Sequence, residues 1–574
     1  MDKRTIPIII LLGVLVIFWV PIMTKLGFLQ PIERPVATEQ ITQQADTQQV
    51  KTQQATPSQP TAADVTDVTA QMAELTQADN GSIPPPPAET VFVETNVMKV
   101  ALSNYGGGPV SLKLVNYLYP GDGEPVEMLP DNAIATPELK FSSRSISTGS
   151  YIFNCQSRER NFRISSGSAD VIYTYRKDNS TITKRYHFYA DRFDYDLVVE
   201  VNNPEALGFD RRYTLEWNNK LMPTELDFQD DYNSMWAMAL QAGERIKFDD
   251  YNNDQFSGTY DGTTSWVATR SKYFAAVMIP RSRLGTGTIA SGIQDHLLIN
   301  GKKVKARELA IGILMEPPLS EPMKDSFSVY IGPMDYERLK DFNNGVVDII
   351  DIGTTPFIGW IIKIFAIPIM WLLPRMYSII PNYGLVIIIF SAFIKLITWP
   401  LSRKTVQSMQ AMKEIQPRMK ELQEKHKNNP QALNKEMMKL YKERGINPLS
   451  GCLPYLPQMP LFFALFAVFR STILLRQAPF ILWWDDLSRG ALSVTDPYII
   501  LVVLMVALMF VQQKMTMTDP KNKALTYIMP LMLGFFFYSA SAGLVLYWTC
   551  FSLFSFVEQL VFRKPQTADV QVLK

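Results

Sequence analysis

Unbroken apolar runs stand at the start of the chain and across its C-terminal two-fifths, while a long middle stretch alternates apolar and polar residues in short bursts. The runs cover residues 6–23, 383–401, 456–475, 498–513, 525–538 and 544–562. At about 1.5 Å per helical residue each reaches across a hydrocarbon core of roughly 30 Å, some of them marginally. The last two are separated only by Ser-Ala-Ser-Ala-Gly at 539–543. One helix over both would be nearly 60 Å long, about twice that core, so the small residues are read as a turn between two spans. The pattern therefore predicts six spans. The first, behind Lys3 and Arg4, has no small-residue cleavage site after it and is read as a retained anchor.

Residues 37–90 are rich in Gln, Thr, Ala and Pro, with seven acids against one lysine, a composition that cannot bury enough apolar surface to fold. They are expected to be a flexible tether stiffened near its end by Pro84–Pro87. From about 89 to 336, segments such as Val91-Phe92-Val93 and Val171-Ile172-Tyr173 alternate with Gly, Pro, Asn and Asp. That texture predicts a large β-sandwich with no helical stretch. Gly106-Gly107-Gly108 follows no βα pattern and is read as a turn or bulge. Residues 357–380 are apolar but broken by Lys363, Pro368, Pro374 and Arg375, which suits an amphipathic helix in the outer interface.

Charge then orients the spans. Residues 403–444 hold eleven Lys/Arg against five Glu, marking that loop as cytoplasmic. Lys514, Lys521 and Lys523, and Arg563 with Lys564, fall on the same side when spans alternate. Both termini are then cytoplasmic, and 25–382 lies outside. The basic loop divides at Asn428-Asn429-Pro430 into two amphipathic stretches, Met412, Ile415, Met419 and Leu422 in one and Leu433, Met437, Leu440 and Tyr441 in the other, predicting a helical hairpin.

Within the second span Ser391, Lys395, Thr398 and Ser402 stand at i, i+4, i+7 and i+11, a narrow polar stripe on one helix face. A cation inside a bilayer must be hydrated or paired. Glu558, near the end of the last run, is the sole acid in the other long runs, so water is the partner expected for Lys395. A plainer reading has the lysine stem snorkelling to the cytoplasmic headgroups.

The net charge of +1 over 574 residues conceals this segregation. Cys155, Cys452 and Cys550 imply no disulfide framework, and His187, His296 and His426 are too scattered for a metal site. No phosphate-loop motif is present. Any work done on a substrate is therefore not expected to be powered by nucleotide hydrolysis, and the chain is expected not to be an enzyme and to use no cofactor, metal or small-molecule substrate.

NPLSGCLPYLPQMPLFFAL at 447–465 and RQAPFILWWDDLS at 476–488 resemble the YidC family of membrane protein insertases. So do DPYII at 496–500, SAGLVLYW at 541–548 and WVATRSKYFAAVMIP at 266–280. The resemblance implies a polytopic α-helical membrane protein of the bacterial inner membrane, in its Gram-negative form. Six transmembrane helices are expected, five forming the insertase core, with a large periplasmic β-sandwich domain and a cytoplasmic helical hairpin. The expected bounds are an anchor at 1–24, a tether at 25–88, the β-sandwich at 89–345 and the interfacial helix at 346–382. The second span follows at 383–402, the hairpin at 403–450, the remaining spans at 451–562 and a tail at 563–574.

The resemblance further implies a hydrophilic groove that receives the polar part of an incoming chain. Its substrate contacts would be Lys395, Ser391, Thr398, Gln513, Tyr547 and Trp548. Where the family carries arginine this chain carries Lys395, which has no bidentate fork. Nascent integral membrane proteins, the translating ribosome, the Sec translocase and membrane lipid are the implied partners. A solute or ion transporter using the intramembrane lysine is the rival, and a carbohydrate-binding envelope protein is a third reading.

Overall fold

The computed structural model describes residues 88–561 except 122, 142–145, 208–209, 300–301, 353–358, 428, 445–454 and 517–522. The expected anchor, tether and tail lie outside the described residues.

Residues 90–333 form a sheet-rich domain of two sheets. The smaller has five strands, in spatial order Pro125–Glu127, Gly108–Leu118, Met98–Ser103, Thr90–Thr95 and Asn161–Ile164. Its last pair is parallel and the others antiparallel. The larger has fourteen strands and includes a long hairpin of Gly285–Ile299 with Lys302–Met315. The strand Phe274–Pro280 is buried along its whole length, as a strand covered on both faces must be. Period-two alternation along Ser180–Tyr189 turns Ile182, Tyr186 and Phe188 inward, and Lys184 with them. The ammonium of Lys184 donates to Gly106 O at 2.7 Å, and burial pushes it down to about 8. Gly106 and Gly107 hold φ of 74° and 59° at the turn that supplies this carbonyl, a conformation glycine adopts without a Cβ penalty.

The domain is not free of helix. Asp227 caps α1 (Phe228–Ser234), accepting from Asp230 N at 3.1 Å, and Asp230 and Asp231 occupy its first turn, where the helix dipole favours negative charge. Seven residues with one apolar–polar cycle are too short to register as a periodic pattern, so the sequence reading missed them. His187 pairs through Nδ1 with Asp170 Oδ1 at 2.6 Å across adjacent strands.

Helix α2 (Tyr336–Asp341) leads to α3 (Gly359–Ile379), which is apolar on both sides. Ile362, Ala366, Ile369, Met370 and Leu373 are buried, and the helix packs on α6 (Tyr455–Ser471). Trp360, Ile364, Ile367 and Trp371, at i, i+4, i+7 and i+11, form an exposed stripe on the other side. Helix α4 (Tyr383–Lys425) runs unbroken through the second apolar run into the basic segment, with Asn382 as N-cap, and α5 (Pro430–Glu443) follows. The bundle is completed by α7 (Ile499–Thr516), α8 (Lys523–Phe537) and α9 (Ala542–Val561). Among the described residues α3, 383–400 of α4, and α9 are long and apolar enough to cross a membrane, and 458–471, 499–515 and 527–537 are shorter apolar helices.

The sheet-rich domain grips the segment that follows α6. Arg476 Nε donates to Glu225 Oε1 at 2.7 Å, and its Nη2 donates to Leu118 O at 2.8 Å and Thr224 O at 3.2 Å. Arg470, in the last turn of α6, donates to Asp230 Oδ1 at 2.7 Å while Lys272 pairs with Asp230 Oδ2 at 3.0 Å. Asp231, fully buried, accepts from Thr224 N at 2.7 Å and Lys272 N at 2.9 Å. Burial pushes the Asp231 carboxyl up to about 7, the charge of Glu225 adds to this, and the two N–H groups oppose it. Burial acts on Asp230 too, yet the charges of Arg470 and Lys272 hold that carboxyl below the usual carboxylate range.

Candidate functional site

The polar stripe of α4 faces the bundle. Ser391 is fully buried, and Lys395 and Thr398 are partly buried, whereas Leu396 and Ile397 between them are 67% and 57% exposed. Each hydroxyl bonds backward along its own helix, Ser391 Oγ to Ile387 O at 2.6 Å, Thr398 Oγ1 to Ile394 O at 3.0 Å and Ser402 Oγ to Thr398 O at 3.1 Å. Such bonds satisfy the hydroxyl proton in an apolar setting and leave oxygen lone pairs facing the neighbouring helix.

That neighbour is α9, which packs against both α4 and α7. Phe551, Ser555 and Glu558 stand on α9 at i, i+4 and i+7, and all three meet Lys395. The ammonium lies 2.6 Å from Glu558 Oε2, 2.9 Å from Ser555 Oγ and 5.1 Å from the centre of the Phe551 ring. Both charged side chains are largely withdrawn from the surface, Lys395 at 12% and Glu558 at 7% exposure. The expectation of water as the lysine's counterpart is thus corrected. The snorkelling reading also falls, because the ammonium is turned toward α9. The pairing joins residues 160 positions and more apart and requires α4 and α9 to be neighbours, which no local pattern discloses.

The other expected contacts distribute over the bundle. Tyr547 is fully buried one turn above Phe551, its ring stacked at 5.9 Å on Phe551 and tilted toward Phe390 of α4 at 6.1 Å. It belongs to the same α4–α9 seam as Lys395. Trp548, next in sequence, points another way, meeting Phe462 of α6 edge-on at 5.2 Å and Phe537 of α8 at 5.9 Å. Gln513 of α7 donates to Met529 Sδ of α8 at 3.8 Å. The structure therefore brings Ser391, Lys395, Thr398 and Tyr547 together on one seam, with Trp548 on the α6–α8 side and Gln513 on the α7–α8 contact. Ser555 and Glu558 complete the seam and were missed as site residues. Glu558 had been singled out only as an isolated acid, and Ser555 at i−3 from it was the available signal.

Above the seam the segment 477–497 is bonded over the helix ends. Gly543 N donates to Leu487 O and Ala542 N to Arg489 O, both at 2.8 Å, and Ala491 N donates to Tyr538 O at 3.1 Å. Asn382 Nδ2 reaches Phe480 O at 3.3 Å, and the Phe480 ring lies so close to Gly384 that a Cβ there would sit 1.9 Å from it. Only glycine admits that approach. Asp486, buried in this segment, accepts from Ser488 N and Oγ at 2.8 and 2.7 Å. These bonds tie the first turns of α4 and α9 and the turn after α8 into one cover at the end of the bundle nearest the sheet-rich domain.

Among the described residues no group of His, Cys, Asp and Glu is placed to hold a metal ion. What the seam provides is a buried ionic pair with hydroxyls along it, closed at one end.

Comparison with known proteins places this architecture. A 60Kd inner membrane protein family model matches residues 375–569, and a YidC periplasmic domain model matches residues 90–372. A protein of Chlorobium limicola named membrane protein insertase YidC is 32% identical over 99% of this chain and 96% of its own length. One of Chlorobium phaeovibrioides with the same name is 33% identical over the same shares. Among solved structures, an active YidC insertase crystal structure with its first transmembrane domain resolved covers 87% of this chain and 99% of its own, at 16% identity and a TM-score of 0.36.

Proposed function

The chain belongs to the YidC family of membrane protein insertases, and from that premise we propose how it handles its clients. The transporter reading finds no support in the comparisons. The periplasmic domain spans the sheets, and the apolar helices that follow carry insertion.

In our reading α4, α6, α7, α8 and α9 are the five core spans, preceded by the anchor at 6–23, and α3 lies along the outer interface with Trp360 and Trp371 toward lipid. The basic stretch 403–444 faces the cytoplasm, α5 folding back beside the end of α4. Both termini are then on the cytoplasmic side of a bacterial inner membrane. Clients are nascent integral membrane proteins leaving the ribosome, with the Sec translocase sharing some of them.

The observation that carries this reading is the Lys395 seam, polar along α4 and α9 and covered on the periplasmic side by segment 477–497. A client places its short hydrophilic flank against Lys395, Ser391 and Thr398, with Tyr547, Trp548 and Gln513 lining the approach. Its apolar segment meanwhile slides into lipid beside the bundle. A polar seam that stops short of the far surface shortens the dry distance a flank must cross. Partition of the client's apolar residues supplies the free energy, roughly 25 cal/mol for each Å² buried. No bond is made or broken.

A photocrosslinking side chain at Ser391 or Trp548, in intact membranes, should capture short membrane-protein nascent chains. Capture by a probe at the lipid-facing Phe393 with none at Ser391 or Trp548 would remove the seam from the client's path.

A further inference from the structure

We infer that Glu558 sets which client flanks this insertase accepts: it is a resident carboxylate that occupies Lys395, so the site selects uncharged, hydrogen-bonding flanks over acidic ones. The inference rests on the seam being the client path. A lone lysine in such a place would be an anion site, drawing aspartate or glutamate from a client. Here the ammonium is already bonded to Glu558 Oε2 at 2.6 Å and to Ser555 Oγ at 2.9 Å. Phe551, 5.1 Å away, covers it from α9. An acidic flank must displace a carboxylate that is anchored to the same scaffold, and it must do so beside that carboxylate's own negative charge. Like charges placed together in a low-dielectric setting repel strongly.

The second oxygen points to what the site does accept. Glu558 Oε1 is buried and has no hydrogen-bond partner among the described residues. A buried carboxylate oxygen without a donor forfeits the hydrogen bonds that water would give it. It is an acceptor poised for an incoming N–H or O–H, supplied by a client backbone amide or by asparagine, glutamine, serine or threonine. The lone pairs of Ser391, Thr398 and Ser402, whose protons are committed to their own helix, extend the same acceptor row along α4. Net charge at the seam is zero, with acceptors in excess. Its complement is a neutral flank rich in donors.

The test uses the full chain in proteoliposomes and two single-span clients differing only in the flank, one bearing Asp and Glu, the other Asn and Gln. The quantity read is the ratio of acidic-flank to neutral-flank insertion. The wild type should favour the neutral flank. Glu558→Gln, which frees the ammonium while keeping the side-chain shape, should raise the ratio by roughly tenfold, the low end of couplings between close charge pairs. An unchanged ratio overturns the inference. Should Glu558→Gln not accumulate in the membrane, the exchange Lys395→Glu with Glu558→Lys keeps the pair and its zero net charge. Its ratio should stay within about twofold of wild type, and a tenfold change in either direction contradicts the proposal. Lys395→Gln separates the two levels. If both clients then insert at wild-type rate, the seam is not the path at all. If both are slowed while Glu558→Gln leaves the ratio unchanged, only the selecting role of Glu558 fails.

Discussion

Two buried ionic sites among the described residues are built in opposite ways. Where the periplasmic domain meets the segment after α6, every charge has several partners. Arg476 is shared among Glu225 and two carbonyls, Asp230 receives both Arg470 and Lys272, and Asp231 is held by two backbone N–H groups. Burying charge is tolerable only when the remaining lone pairs and protons are satisfied, and here they are. At the α4–α9 seam a single lysine meets one oxygen of a single carboxylate and one hydroxyl, and the second oxygen is unused. The first arrangement resists change and suits a joint. The second leaves bonding capacity unfilled and suits a site that must exchange partners.

That contrast is most easily broken at the joint. Arg476→Ala strands Glu225 among buried groups and should cost about 3–5 kcal/mol, the range for removing one partner of a buried pair. Thermal unfolding of the full chain in nanodiscs should show the periplasmic domain melting as a separate, earlier transition. Lys395→Gln, by comparison, should leave that transition in place and change client insertion instead. A loss of domain stability from Lys395→Gln as large as from Arg476→Ala would erase the distinction.

A smaller effect comes from Asp231. Its carboxyl is raised in the folded state, so the folded protein binds the proton more tightly than the unfolded chain does. Stability is therefore greatest below the ordinary carboxylate range and is lost as pH rises toward about 7. Between pH 7 and 5 the periplasmic domain should gain stability on acidification, by at most about 1.4 kcal/mol per pH unit. Asp231→Asn should flatten that dependence, with Glu225 and Lys272 still facing the position. Calorimetry at pH 5.5 and 7.5 measures it, and an unchanged slope in the variant would assign the titration to another group. Asp230, whose carboxyl is lowered, keeps its contribution throughout this window and loses it only in stronger acid.

The smallest effect belongs to the hydroxyls. Thr398→Ala removes a hydroxyl bonded to its own helix and should alter stability by under about 1 kcal/mol. Insertion of the neutral-flank client should nevertheless slow measurably. Equal rates in variant and wild type would confine the α4 row to packing.

How far these features were legible follows from their range in sequence. The stripe Ser391, Lys395, Thr398 and Ser402 is local, and helical periodicity alone places it on one face. The sheets of residues 90–333 were legible because alternation at period two is also local. Glu558 was visible as an odd acid, but its meeting with Lys395 depends on which helices become neighbours. The joint was less visible still. Glu225, Asp230 and Asp231 sit in and beside a helix too short to leave a pattern, and the arginines that Glu225 and Asp230 meet lie more than 200 residues away. Arg476 and Lys272 both fall within stretches that resemble the family, yet resemblance marks residues without saying what they touch. Gln513 and Trp548 illustrate the converse, named by resemblance and found on the α7–α8 and α6–α8 contacts, apart from the ionic pair.

If client flanks enter along the Lys395 seam, it must be reachable from the cytoplasmic face while the flanking side of α4 is covered by lipid. With Cys155, Cys452 and Cys550 replaced, Thr398→Cys and Leu396→Cys can be compared in membranes exposed on their cytoplasmic side to a membrane-impermeant maleimide. Thr398→Cys should react at least about tenfold faster than Leu396→Cys, because thiolate forms in water and not in lipid. Equal or reversed rates would show the seam to be dry and closed to a client.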